Sequence, residues 1–300
     1  MLNRLFHEPS PGTVAHTPYS AALVTDPSVR NFVHWACGSS FAASTKLVAA
    51  TEKWPGSGEG HETAFSLANG EGMGLFEILA QPGKEEQAEA FARLMEEWNR
   101  TPFYDLRHTV EGYDWASVGG KVVDVGGSTG QAGIAIARKY PHLQVMVEDL
   151  PGTARTGESL LDPDLRGRVS FVGHDFFQPQ PLEVRDANAY ILRCVLHDHS
   201  DSNATLILRN LVACMEGKPK ARIVVIDGVM PAPGTVPYSI EKPARDMDMV
   251  MMQNFNAKER QMDDWQALFA MADERLKLVG FNHPQGSGAA IMELSLEPKS

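Results

Sequence analysis

The sequence predicts an α/β fold: a doubly wound, mostly parallel sheet with helices on both faces, preceded by a helical lobe. Three observations predict it. From residue 119 onward, short valine-rich apolar runs alternate with helical patterns; the first run opens into a glycine-rich loop; and the chain closes on two adjacent apolar runs. Strands covered by helices on both faces read as nearly continuous apolar runs, and strict β–α alternation implies a doubly wound sheet.

Taken in order, residues 1–118 show helical patterns broken by Gly, Pro and Ser, as at Pro55–Gly58 and at Gly70, Gly72 and Gly74. Phe91, Leu94, Met95 and Trp98 lie at helical spacing and predict a helix over about 85–100. The region 119–300 then gives strands at 121–126, 143–150, 168–176, 187–196 and 221–230, with helices at 130–140 and 203–215 between them. RLKLVGFNHP and AAIMELSLE read as a closing hairpin.

The totals narrow the function classes. The 300 residues, 43% hydrophobic, suffice for one large core or a core plus a smaller lobe. A net charge of -11 argues against a nucleic-acid partner, because phosphate contacts need a basic face. No apolar run is long enough to span a membrane, and MLNRLFHEPSPG lacks a secretory pattern. Cys37, Cys194 and Cys214 have no paired spacing, so they read as reduced thiols of a cytoplasmic protein. No metal-ligand motif is present, and no metal is expected.

Ligands of such sheets bind beyond the carboxyl ends of the strands. The first loop is Asp124-Val125-Gly126-Gly127-Ser128-Thr129-Gly130. A GxGxxG dinucleotide fingerprint fails at Ser128 and Gln131, and no lysine follows Gly130 to make a phosphate loop. Glu148-Asp149 end the next strand, where a carboxylate can accept from a ribose diol. Asp175-Phe176 end the third, where an acid can accept from an adenine amino group while an apolar ring covers the base.

VVDVGGSTG, VEDLP, GHDFF, LRCVLHDHSD, VVIDGVMP and FNAKER together resemble the small-molecule O-methyltransferases of plant and fungal secondary metabolism, the fungal branch most closely. The likeness runs over roughly residues 5–295. It implies a Rossmann-like class I methyltransferase fold, a seven-stranded sheet with a terminal antiparallel hairpin. It implies S-adenosylmethionine as cofactor, with Gly126, Gly127 and Gly130 under its methionine part, Asp149 on the ribose, Asp175 and Phe176 at the adenine, and Arg193 nearby. His197 takes the place of a general base, flanked by Asp227 and Glu259. The acceptor is then a hydroxylated aromatic or polyketide-like small molecule. Phe91, Met95 and Trp98 would help line its pocket with Met247, Met249, Met251, Met252, Asn254 and Phe255.

Three departures accompany the likeness. His199 stands where members carry tryptophan, which puts the packing beside the adenine in question. Ser128 replaces the commoner third glycine. NRLFHEPSPGTVAHT matches only the tail of the family's winged-helix dimerisation domain, so residues 1–118 read as its remnant plus a helical lobe, and homodimerisation is in question. Two other functions stay open: a pericyclase or dehydratase of the same fold that transfers no methyl group, and an inactive cofactor-binding partner.

Overall fold

The computed structural model describes residues 3–70 and 72–299. Met1 and Leu2, the start of the segment read above as lacking a secretory pattern, lie outside the described residues, as do Glu71 and Ser300. The chain forms two compact units, 1–100 and 101–300. The boundary between these units lies at 100/101, whereas the sequence leads one to expect a division at 118/119. Val110, Trp115 and Val118 belong to a core of the second unit, which explains the shift.

The first unit starts with two short antiparallel strands, β1 (Phe6–His7) and β2 (Ala15–His16), and is otherwise helical. Proline at the first helical position and Asp26, whose Oδ1 accepts from the Ser28 amide at 2.9 Å, start the helix Pro27–Trp35. Its Trp35 packs against Phe65 and Phe91, with ring centroids 6.2 and 5.1 Å apart. Phe91 comes from the helix Glu85–Trp98, close to the range its periodicity predicts.

The second unit contains β3 (Lys121–Val125), β4 (Gln144–Asp149), β5 (Val169–Gly173), β6 (Ala189–Arg193), β7 (Arg222–Asp227), β8 (Leu276–Asn282) and β9 (Ala290–Leu296). Among the described residues these make a seven-stranded sheet in the order β5-β4-β3-β6-β7-β9-β8. The five strands β3–β7 run parallel, and β9 is antiparallel to both β7 and β8. The pleat divides each strand between two cores. Val123, Val125, Ile223 and Val225 face the helices Asp201–Met215 and Met262–Ala272. Val122, Val224 and Ile226 face the other way, toward Ile136 and Trp115. The inner parallel strands β3, β6 and β7 are thereby buried on both sides, whereas the edge strand β5 keeps Ser170 exposed. The order of β4, β3 and β6 places a crevice above β3, where connections leave in opposite directions.

Candidate active site

The loop after β3 is shaped by positive φ at Gly126 (68°), Ser128 (54°) and Gly130 (87°). Space restricts it too: a Cβ on Gly130 would lie 2.9 Å from the Phe171 ring, and one on Gly126 would lie 3.0 Å from Val195 Cγ2. The amides of Gly126 and Gly127 donate to the Glu148 carbonyl at 2.8 and 3.1 Å. Behind the loop, the buried Asp124 accepts from the Gly133 amide at 2.9 Å, tying β3 to the helix Gln131–Lys139. Burial raises the Asp124 carboxyl to about 6.

Asp149 ends β4. Its Oδ2 accepts from the Ser128 amide and its Oδ1 from the Leu150 amide, each at 2.8 Å. The Thr153 side chain also bonds this carboxylate, which keeps an acceptor position for a ligand. Its neighbour Glu148 points the other way into full burial, 2.7 Å from His174 Nδ1, and accepts from Gln180 Nε2 at 3.0 Å. This pair of bonds fastens both ends of the loop carrying Asp175 and Phe176. Asp175 Oδ1 accepts from the Phe177 amide at 3.0 Å, and Asn210 Nδ2 donates to the Phe176 carbonyl at 2.9 Å.

His199 joins this loop as an aromatic. Its ring meets Phe176 and Phe177 edge-on, at centroid distances of 5.5 and 5.3 Å. Burial first, then the charges of His197 and Arg260, push its imidazole down to about 4. It is therefore neutral at pH 7 and fills an apolar slot.

The strands β6 and β7 are parallel neighbours, with Arg193 opposite Ile226. Their ends bring the 3-10 turn Leu196–Asp198 beside Asp227. The His197 amide donates to Asp227 Oδ2 at 3.2 Å. Its ring Nδ1 lies 2.9 Å from Glu259 Oε1 and 3.6 Å from Asp227 Oδ1, and Nε2 lies 3.6 Å from Asp198 Oδ1. An acid on Nδ1 holds the ring proton there and leaves the Nε2 lone pair as the proton acceptor. Burial opposes the charged ring, but the Asp227, Asp198 and Glu259 carboxylates outweigh it and hold His197 well above the usual 6.5.

Glu259 reaches the site because the helix Tyr238–Phe255 stops at Asn256, in the left-handed conformation with φ 52°. Asp248 Oδ1, on that helix, then accepts from the Glu259 amide at 2.9 Å. Gly228 leaves room for the acid, since a Cβ there would lie 2.6 Å from Glu259 Oε2. The fully buried Arg260 braces the histidine turn. It donates from Nη1 to the Leu196 carbonyl at 2.7 Å, from Nη2 to the His199 carbonyl at 2.8 Å, and from Nε to Asp201 Oδ1 at 2.9 Å.

The sequence singled out His197, Asp227 and Glu259, which meet in space, and Gly126, Gly127, Gly130, Asp149, Asp175 and Phe176, which line neighbouring strand ends. Arg193 donates instead to the Tyr104 carbonyl and to Thr109 Oγ1, at 2.8 and 3.1 Å. Met251 and Asn254 are buried in the second unit, whereas Met249 and Met252 are exposed. Phe91 packs on Trp35 and Phe76 in the first unit, where Met95 is exposed. Asp198, Asp248, Gly228 and Arg260 were given no role by the sequence reading, and Glu148, read there as a strand-end acid beside Asp149, turns inward instead. Asp198 and Arg260 adjoin motif residues, but only the fold shows what they touch.

The comparisons show the family. The O-methyltransferase domain family matches residues 57–273. The chain is 40% identical over 306 aligned positions to the O-methyltransferase pgmB of Aspergillus terreus (strain NIH 2624 / FGSC A1156), covering all of this chain and 84% of that protein. Among solved structures it resembles an O-methyltransferase, NcsB1, from neocarzinostatin biosynthesis, in complex with S-adenosylmethionine and 2-hydroxy-5-methyl naphthoic acid. The TM-score is 0.78 at 26% identity, over 99% of this chain and 82% of that one. It also resembles a structure described as a pericyclic reaction enzyme, with a TM-score of 0.75 at 25% identity over 99% of this chain and 74% of that one. A class I methyltransferase fold with an imidazole between acids defines the class. The chain belongs to the O-methyltransferase family and is a methyltransferase enzyme.

Proposed function

We propose that the enzyme moves the methyl group of S-adenosylmethionine onto a phenol or enol hydroxyl of an aromatic, polyketide-like metabolite, with His197 as general base. The observation that carries this is His197 Nδ1 held 2.9 Å from Glu259 at the mouth of adjacent parallel strands. The residues fit the cofactor. A glycine loop with positive φ lies beside the braced Asp149 carboxylate, and Phe176 stands on the next strand's loop. Three acids surround one imidazole, and although burial raises Asp227 to about 6 and Asp198 to about 7, their charge favours a sulfonium cation.

When bound, the cofactor supplies a methyl carbon activated by its positive sulfur. The protein has to hold the acceptor oxygen in line and remove its proton. A phenol has a pKa of about 10, and a positioned imidazole that takes the proton during attack contributes ~10²–10⁴-fold. Asp227 and Glu259 orient the ring and stabilise the imidazolium that results. An imidazolium and a bound sulfonium draw on the same carboxylates, so loading the cofactor weakens the proton's hold on His197.

His197→Ala tests the reading. Labelled methyl incorporation into a naphthol or naphthoic acid acceptor should fall ~10²–10⁴-fold while S-adenosylhomocysteine still binds. Unchanged turnover would remove His197 from the mechanism. The likeness to a pericyclic enzyme favours a second reading, an electrostatic role for the sulfonium without transfer. Product formed without S-adenosylhomocysteine would support it, whereas the retained His197, Asp227 and Glu259 argue for transfer. An inactive partner would bind the cofactor and turn over nothing.

Among the described residues no helix is long and apolar enough to cross a membrane. Three free cysteines and the net charge of -11 support a cytoplasmic enzyme without a nucleic-acid partner. A homodimer is the assembly that family membership suggests, and sizing in solution tests it.

A further inference from the structure

We infer that Cys194, His197 and Asp227 form a binding site for a soft divalent cation of zinc type, and that its occupation shuts the enzyme off. The inhibitory consequence rests on His197 being the base; the metal site itself does not.

The three residues each offer a ligand atom, and all these atoms lie within 4.8 Å of one another. In a tetrahedral zinc shell with bonds of about 2.0–2.3 Å, ligand atoms sit about 3.5 Å apart, so small side-chain rotations close the set. Two of the ligands are fixed by the sheet. Cys194 follows β6, Asp227 ends β7, and the Cys194 amide donates to the Ile226 carbonyl at 2.9 Å. Thiolate, imidazole and carboxylate together suit zinc or cobalt, whereas magnesium and calcium prefer oxygen alone. A second observation also points to a cation. Glu259 and Asp198 bring two further acid groups within 3.6 Å of the same ring, so acid oxygens approach it at both ring nitrogens. The site is not sealed: Cys194 is half-buried and the His197 side chain keeps 14% of its exposure. On binding, the Cys194 thiol passes its proton to solvent as the sulfur–metal bond forms. The imidazole likewise gives up a proton to solvent as its nitrogen–metal bond forms, and the metal adds positive charge beside the proposed sulfonium position.

Cobalt(II) titrated into the full chain without methyl donor is the test. One ion should bind per chain, with a thiolate-to-cobalt charge-transfer absorption. Cys194→Ser and Cys194→Ala should weaken binding at least about tenfold and abolish that absorption, while Cys37→Ser keeps it. In the unmutated protein zinc should slow alkylation of Cys194 but not of the exposed Cys37, a readout that needs no folded variant. Zinc should also suppress methyl transfer, and a chelator should restore it. No cobalt uptake, an absorption that persists in both Cys194 variants, or unprotected alkylation would each overturn the site. A cobalt spectrum in a chain that transfers no methyl group would keep the site and discard the proposed function.

Discussion

At the residue scale, the proposal that His197 is the base makes its carboxylate neighbours the groups that should set the working pH. Only the neutral ring accepts a proton, so activity rises as pH climbs through the ring's own pKa. With that pKa held above 6.5, the acid limb of the rate profile should lie on the alkaline side of an ordinary histidine. Glu259→Gln keeps a hydrogen-bond acceptor for Nδ1 but removes a charge, so the limb should move toward lower pH, read from kcat against pH. Gly228→Ala puts a methyl 2.6 Å from where Glu259 Oε2 now lies. The acid should swing away, lowering kcat by about tenfold, short of the ~10²–10⁴-fold cost of losing the base itself, while thermal stability changes little. His197 and its acids were legible because the histidine sits in a distinctive string, as do Asp227 and Glu259. Asp198 and Asp248 were not, since an isolated acid in a sequence reads the same whether it faces solvent or an imidazole.

At the element scale, two joints deserve measurement. The helix Pro151–Leu160 lies so close to β5 that a Cβ on Gly157 would fall 2.3 Å from the Phe171 ring. Gly157→Ala should therefore destabilise by about 1–3 kcal/mol in a denaturant titration, as overpacking does. Asp124 joins β3 to the helix after it. Its carboxyl is raised by burial from 3.8 to about 6, so the folded state binds the proton more tightly than the unfolded one. Stability should then fall as pH rises through that window. Asp124→Asn keeps an acceptor for the Gly133 amide, should lessen the slope to which the buried Asp198 and Asp227 also contribute, and should be more stable at pH 8 by about 1–3 kcal/mol. The strands of the second unit were legible from their valine-rich runs, but read two or three residues too long at several ends. Residues such as Phe176 and Val195 are apolar because they pack beside the loop and the site, not because they extend the ladder. The helix Pro151–Leu160 escaped notice because its two glycines and two threonines mask any periodicity.

At the scale of the whole molecule, both cores of the second unit are built only from residues between Val110 and Leu296. The residues proposed to hold the cofactor lie in the same stretch. A fragment spanning 101–300 should therefore fold cooperatively and bind S-adenosylhomocysteine, checked by circular dichroism and calorimetry. A fragment that fails to fold would show that the first unit is needed for stability. The α/β class and the hairpin at the sheet's end were readable because parallel strands and their crossovers announce themselves in apolar runs. The boundary at residue 100 was not, because 101–118 carry no strand, and only packing assigns Trp115 to the sheet.

The bond from the Glu259 amide to Asp248 joins two jobs that enzymes often keep apart. Asp248 sits one turn before Met251 and nearly two turns before Asn254, the side chains expected to meet the acceptor. A guest that nudges this helix also drags the acid that tunes the proton acceptor. Selectivity and speed thus share a lever: swapping residues to admit a bulkier guest will detune the chemistry unless the tether is preserved, and a directed-evolution campaign should find its compensating changes clustered between Asp248 and Glu259.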